Sequence, residues 1–351
     1  MNSKYLEYLV SLKTHKHLTT NGDGLITIDG TEKYEVIKGV PIMLPVDTAA
    51  HWQREMIEAI LWQFPDEIEK MSLEMHERFK KVGKRLDPNA LYREYIGRLL
   101  KDKDGIILAL QQYADCDTTE WIAIKEDGNT VSADGAEKFD KYTGWFKGRK
   151  RVNRTKKSLA LKAWAKHLPY YASEVHKTNP KTIVELSTGS GMGTSAISIG
   201  KPQDCVIFTI DIDYVCHGNV VGIAKYLKQQ DSLLAVDANF WYMPFADESI
   251  DVVCSHFGLD ESRENNKTIA ETARILKSGG RFICTARKNA FMRQYSILEP
   301  FGFEKDETVE ILRKCRLYSD TESLVACCEN NGLYLENKEE TLLIKTKKSQ
   351  I

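Results

Sequence analysis

The segment Val184 to Thr194, VELSTGSGMGT, constrains this chain more than any other. An apolar run, Ile183, Val184 and Leu186, stops at a loop of small residues holding Gly189, Gly191 and Gly193. A helix is expected to follow, from Thr194 to Gly200. Strand, glycine turn and helix start together make a device for holding a cofactor. Glycine lets the backbone take positive φ and lets a ligand approach it closely. The helix start adds amide N–H groups that find no partner within the helix.

The spacing that follows strengthens this weak signal. Val206 to Ile210 reads as a second buried strand ending in Asp211, 22 residues after Gly189. That is close to the roughly 20 residues expected before a carboxylate that grips ribose hydroxyls. Leu233 to Val236 reads as a third strand ending in Asp237, and MPFADESIDVV, Met243 to Val253, as a turn into a fourth. Glu185, Asp211 and Asp237 then fall at or near the carboxyl ends of successive strands, the edge where open parallel sheets bind ligands. Read from Gly189, the dinucleotide pattern fails at its third position, which is Thr194. An acid beside the loop is also a poor neighbour for a pyrophosphate. Glu185 suits a ligand with an ammonium or sulfonium centre, and Asp237 suits an adenine amino group. This chemistry fits S-adenosylmethionine better than a nicotinamide dinucleotide.

At these residues the chain resembles the class I S-adenosylmethionine-dependent methyltransferases, over about half its length, Thr182 to Lys345. VELSTGSG is similar to the family's first motif, with Glu185 as its acid and Ser187, Gly189 and Gly191 on its glycine positions. Asp211 matches the acid after the second strand, and Asp237-Ala238 the pair that contacts adenine. ETARILKSGGRF, Glu271 to Phe282, matches the helix, glycine turn and strand that follow. Phe301-Gly-Phe303 and an end strand, Thr341 to Thr346, fit the closing antiparallel hairpin. Ser187 stands where a glycine is usual and Ser278 where a proline is usual, so a preserved fold with slightly altered loop dynamics is expected. The resemblance implies a Rossmann-like α/β sheet with helices on both faces. It also implies cofactor contacts from Thr188, Ile212 and Ser255, with S-adenosylhomocysteine as product.

Composition narrows the remaining classes. The 351 residues can hold two or three domains. A net charge of −1 gives no global basic field to attract nucleic acid. No apolar run approaches the roughly 20 residues of a membrane span. The first residues, MNSKYLEYLVSLKTHKHL, scatter charge through any would-be signal core, so a cytoplasmic protein is expected. The eight cysteines include no CxxC pair and are expected to be reduced core thiols, with Cys205, Cys254 and Cys284 in or beside strands and Cys327-Cys328 on a helix.

Three parts are expected. Residues 1–48 read as a small β module, with strands Gly24–Ile28 and Tyr34–Ile37 and a hairpin signal at Asp29-Gly30. Its frame, Leu18, Gly24-Leu25, Tyr34 and the exit Gly39-Val-Pro-Ile42, resembles the zinc-ribbon modules of some ribosomal RNA guanine methyltransferases and of the methyltransferase-activator family. Cysteines implied at about Ser11, Thr14, Thr27 and Gly30 are missing, and these residues cannot replace thiolates on zinc. A metal-free module held by apolar packing and docked on its neighbour is expected. Residues 49–150 read as a mainly helical lid or substrate domain. Helices are expected at His51 to Phe64, Asp66 to Val82, Asp87 to Leu100 and Ile106 to Tyr113, with Asp104-Gly105 as a break. A hairpin is expected near Trp121 to Ser132. Residues 151–351 form the methyltransferase domain.

Two features carry chemistry beyond cofactor binding. KGRKRVNRTKK, residues 147–157, is either a phosphate contact or a solvated linker, and the balanced net charge favours the linker. Upstream, Tyr142 and Trp145-Phe146 either close the pocket or pack in a core. After the fourth strand comes CSHFGLD, Cys254 to Asp260, which faces the transferring methyl in this fold. His256 has the pKa range of a base, and Asp260 could orient it or bind a cationic substrate. The leading expectation is methylation of a small molecule or peptide. RNA methylation is the alternative, and a non-catalytic cofactor-binding scaffold is the third.

Overall fold

The computed structural model describes residues 3–22, 24–43, 60–61, 64–82, 88–115, 167–189, 191–211, 214–259, 265–285, 291–314, 321–338 and 342–347. Residues 147–157, the aromatics at 142–146 and the hairpin expected near residues 121–132 lie outside this set, as do Ile212 and Asp260.

The amino-terminal residues fold as expected in outline. β1 (Leu18–Asn21), β2 (Gly24–Thr27) and β3 (Lys33–Tyr34) form an antiparallel sheet, and β4 (Val36–Ile37) pairs with β5 (Val40–Pro41). The strand expected to reach Ile28 stops at Thr27, and Ile28 is exposed. Polar bonding supplements apolar packing here. The Ser11 and Thr14 hydroxyls are 2.7 Å apart, Thr14 Oγ1 donates to Glu32 Oε1 at 2.7 Å, and Tyr34 Oη donates to Glu32 Oε2 at 2.6 Å. The Glu32 N–H donates to Thr27 Oγ1 at 3.1 Å. Glu32 thus links three of the four positions where the resemblance implied thiolates. Among the described residues no group of three or more His, Cys, Asp or Glu is arranged to hold a metal.

Three helices follow: α1 (Pro65–Val82), α2 (Pro88–Leu99) and α3 (Lys103–Asp115). The break expected at Asp104-Gly105 is instead the first turn of α3, because Asp102 Oδ1 accepts the Gly105 N–H at 3.0 Å and starts the helix. After residues outside the described set comes α4 (His167–His176).

The main sheet has seven strands. β6 (Thr182–Leu186), β7 (Val206–Asp211), β8 (Leu233–Asp237), β9 (Ile250–His256) and β10 (Leu276–Thr285) run parallel. β11 (Leu333–Lys338) and β12 (Leu342–Lys347) close it, with β12 antiparallel to both neighbours. The order is β11-β12-β10-β9-β6-β7-β8. Strand order reverses between β6 and β9, and such a reversal opens a crevice at the carboxyl edge. The closing hairpin does not involve Phe301-Gly-Phe303. Phe301 ends a 3-10 turn and Phe303 is buried among helices.

Near-continuous apolar strands read as buried on both faces, and alternation splits them. Val184, Leu186, Phe208, Ile210, Leu234, Val236 and Val253 enter one core. Ile183, Ile207, Leu233, Ala235, Val252 and Cys254 enter the other. The second core is covered by α4, α5 (Met192–Ser198) and α6 (Tyr214–Leu227). The first is covered by α7 (Asn265–Ile275), α10 (Thr321–Asn330) and the amino-terminal module, through Tyr5, Leu9, Leu18, Leu25 and Met43. Between β8 and β9 the chain makes no helix. Arg274 of α7 donates to the Met243 and Phe245 carbonyls there at 2.8 and 2.7 Å, and Val10 N–H donates to the Pro244 carbonyl at 3.0 Å.

α8 (Phe291–Leu298) and α9 (Lys305–Lys314) leave the sheet between β10 and β11. They share a core with the early helices: Met71, Leu91, Tyr95, Ile96, Ile106 and Leu110 pack with Ile297, Leu298, Phe303 and Leu312. Lys103 pairs with Glu307 at 2.7 Å across this junction. No helix among the described residues is long and apolar enough to cross a membrane.

Candidate active site

The structure places the three acids at one edge of the sheet, on neighbouring strands. Glu185, Asp211 and Asp237 share the strand parity of Ile183, Ile207 and Ala235, which places them on the α4–α6 face. All three are buried, and Asp211 raises the pKa of both of the others by its charge. This convergence of acid groups suits hydroxyl and amine donors.

The loop after β6 is held open by its backbone. Ser187, Gly189 and Gly191 have φ of 60°, 53° and 78°. Glycine adopts this region without strain, whereas Ser187 pays roughly 1 kcal/mol for it. The Gly189 N–H donates to Asp211 Oδ2 at 3.0 Å, and Asn219 Nδ2 of α6 donates to the Gly189 carbonyl at 2.8 Å. The loop is therefore tied to the next strand and the next helix. Thr188 Oγ1 is buried in it with no hydrogen-bond partner among the described residues. The Ala238 N–H donates to the Asp211 carbonyl at 3.1 Å and Ser187 N–H to the Ile210 carbonyl at 2.9 Å. Ser255 points into the sheet, its hydroxyl donating to the Leu186 carbonyl at 3.1 Å.

Glu185 lies beneath the loop. Its Oε2 accepts the Thr194 hydroxyl of α5. Burial pushes its carboxyl up to about 8, the Thr194 hydrogen bond opposes this, and the Asp211 charge adds to it. A methyl at Gly193 would strike this carboxylate and come within 2.9 Å of His256 Cβ, so that position has room for hydrogen alone. Burial likewise raises the Asp237 carboxyl, against the hydrogen bond and charge of His217, whose Nε2 lies 3.2 Å from Asp237 Oδ1.

His256 closes β9 beside this cluster. Its ring centroid is 5.4 Å from Tyr171 of α4 and 4.6 Å from Phe257. Sequence reasoning missed Thr194, His217, Asn219 and Tyr171.

The profile of the family described as "Methyltransferase domain" matches residues 184–284. This stretch of the chain is similar to a methyltransferase domain. The match begins inside β6 and ends inside β10, so it covers the strand switch, the loop and all three acids. Among similar proteins is the ubiquinone/menaquinone biosynthesis C-methyltransferase UbiE of Bartonella tribocorum, 30% identical over 113 residues, which are 30% of this chain and 42% of that protein. Another is the mitochondrial 2-methoxy-6-polyprenyl-1,4-benzoquinol methylase of Dictyostelium discoideum, 26% identical over 172 residues, 44% of this chain and 55% of that protein. The chain thus spans about half the length of the curated relatives it matches. A solved geranyl diphosphate C-methyltransferase from Streptomyces coelicolor A3(2) superposes with TM-score 0.39 at 10% identity, covering 51% of this chain and 78% of that one.

The buried carboxyl of Glu185 gives the domain a pH signature. Its ordinary value is 4.5. Between there and about 8 the folded protein keeps a proton that the unfolded chain releases, so stability falls as pH rises. The cost is complete above about pH 8 and is on the order of 4–5 kcal/mol. Glu185→Gln keeps an acceptor for Thr194 and removes the titration. Its urea midpoint should match wild type near pH 5 and exceed it at pH 8.5. Equal slopes for the two proteins would place the titration elsewhere.

Proposed function

We propose that the chain is an S-adenosylmethionine-dependent methyltransferase acting on a small molecule and releasing S-adenosylhomocysteine. The observation that carries this reading is the convergence of three buried acids at the carboxyl ends of β6, β7 and β8, beneath a positive-φ loop at the strand switch. Asp211 receives the ribose hydroxyls and Asp237 the adenine amino group. Thr188, at the loop, supplies a hydroxyl, and Ala238 flanks the base. Ser187, Gly189 and Gly191 shape the channel for the methionine part. Glu185 fixes the α5 start through Thr194, and the cationic end of the cofactor lies on its side of the loop. When bound, the cofactor supplies a sulfonium-activated methyl group.

The protein's own work is positioning the nucleophile and excluding water. We assign that task to the helical part. α1–α3 are pinned to α8 and α9, and α8–α9 arise after the carboxyl end of β10, the same sheet edge that carries the acids. A substrate enters between this cap and the loop. His256 and Asp260 are the groups assigned to move a proton when the nucleophile carries one. The names of the curated relatives, which concern quinone biosynthesis and a benzoquinol, support a small organic substrate.

Incubation with methyl-labelled S-adenosylmethionine and separated extract fractions tests the reading. Label in small molecules supports it. Label in RNA, with binding that falls steeply with salt, replaces it by the RNA alternative. Cofactor binding without transfer to any fraction makes the chain a scaffold. For His256→Gln, a lost limb in the pH–rate profile supports a base. An unchanged profile leaves the imidazole a packing role against Tyr171.

A further inference from the structure

Asp237 ends β8, which is the edge strand of the seven-stranded sheet. An edge strand presents a row of backbone groups that need partners. At Asp237 the partner comes from the amino-terminal module. Met43 N–H donates to the Asp237 carbonyl at 2.7 Å, and Ile42 bridges Asp237 in parallel register. These residues continue β5, the way out of the module. Val40 is buried in the α4–α6 core and Met43 in the opposite one, so the exit segment straddles the sheet edge and is locked on both faces.

The line of bonds continues inward. Ala238 N–H donates to the Asp211 carbonyl, Asp211 Oδ2 accepts the Gly189 N–H, and Asn219 holds the Gly189 carbonyl. The module is thus connected to the loop through the two acids assigned to adenine and ribose. The Asp237 side chain is fixed separately, by His217 of α6 at 3.2 Å. Main chain and side chain of Asp237 thus meet different partners.

We infer that the module's exit segment, Val40 to Met43, together with His217, sets the Asp237 carboxylate in place for the adenine amino group, so that the module is a working part of the cofactor cleft. The inference rests on the cofactor reading above. His217 acts through Asp237 and is a positioning residue.

Two measurements on the full-length protein test it, with S-adenosylhomocysteine as probe. By calorimetry, His217→Leu should weaken binding about tenfold, and His217→Gln, which keeps an N–H donor, should recover most of it. A mere packing role for His217 would not be rescued by a polar side chain. By hydrogen exchange on the wild type, saturating probe should slow the amides of residues 38–43 together with those of 206–211 and 233–238. Slowing at 206–211 and 233–238 with residues 38–43 unchanged overturns the inference. So does a His217→Leu variant that binds like wild type. If the wild type shows neither heat nor slowed exchange anywhere, the cofactor reading itself fails.

Discussion

Asp211→Ala should bind S-adenosylmethionine at least about 100-fold more weakly than wild type. A carboxylate at a strand end accepts both hydroxyls of a ribose, and each charge-assisted hydrogen bond contributes about 1.5–3 kcal/mol. Two such bonds amount to about 3–6 kcal/mol, and 1.4 kcal/mol is tenfold in affinity. The same substitution removes the acceptor of the Gly189 N–H, which loosens the loop that must close on the cofactor. Unfolding should not be the cause. Asp211 raises the carboxyl pKa of its buried neighbours Glu185 and Asp237, so removing its charge relieves repulsion in the apo protein. The melting temperature should hold or rise while affinity collapses. Asp211→Asn keeps one acceptor without the charge and should fall between the two. Calorimetry that finds the alanine variant within threefold of wild type would remove Asp211 from the cofactor site.

Much of this site was legible in the sequence because it depends on local order. A buried strand, a glycine turn and an acid at a fixed interval are set by neighbours in the chain; β7 and β8 end on Asp211 and Asp237, and β6 ends one residue after Glu185. What escaped were partners brought in from afar. His217 looks like any helical histidine until the sheet places Asp237 beside it. Arg274 looks like a solvated charge, yet it caps carbonyls of a segment about 30 residues away that forms no helix. The apolar stripes of α2 and α3 predict burial without saying against what. Their partners, α8 and α9, lie about 200 residues further on. Phe301 and Phe303 were misread for the same reason. A Phe-Gly-Phe turn fits a hairpin and a helical cap equally well, and the early helices that claim Phe303 leave no trace near it in sequence. The module's polar network escaped because Ser, Thr and Glu in a loop read as solvent-facing, whereas Ser11 and Thr27 are buried and bonded.

Deleting residues 1–43 should abolish cooperative folding of the whole chain. In an α/β sheet both faces must be covered. Between β8 and β9 no helix covers the face formed by Val184, Phe208, Leu234 and Val236, and the amino-terminal module fills that place. Tyr5 and Tyr8 meet Phe208 edge-on at 5.8 and 5.7 Å, while Leu9, Leu25 and Met43 are buried in the same core. Losing one such side chain costs about 2–5 kcal/mol, and a domain has only about 5–15 kcal/mol in total. Removing all of them exceeds what the sheet can lose. The edge of β8 would also lose Met43 and expose a strand end to aggregation. A graded version separates packing from deletion. Leu9→Ala should lower stability by about 2–5 kcal/mol in urea, whereas Ile28→Asp, on the module's exposed side at 80% accessibility, should shift it by less than about 0.5 kcal/mol. A truncated chain that melts cooperatively and keeps its near-ultraviolet dichroism would show that the sheet covers this face without the module. The module would then be an appendage, and its tie to Asp237 would lose its structural basis.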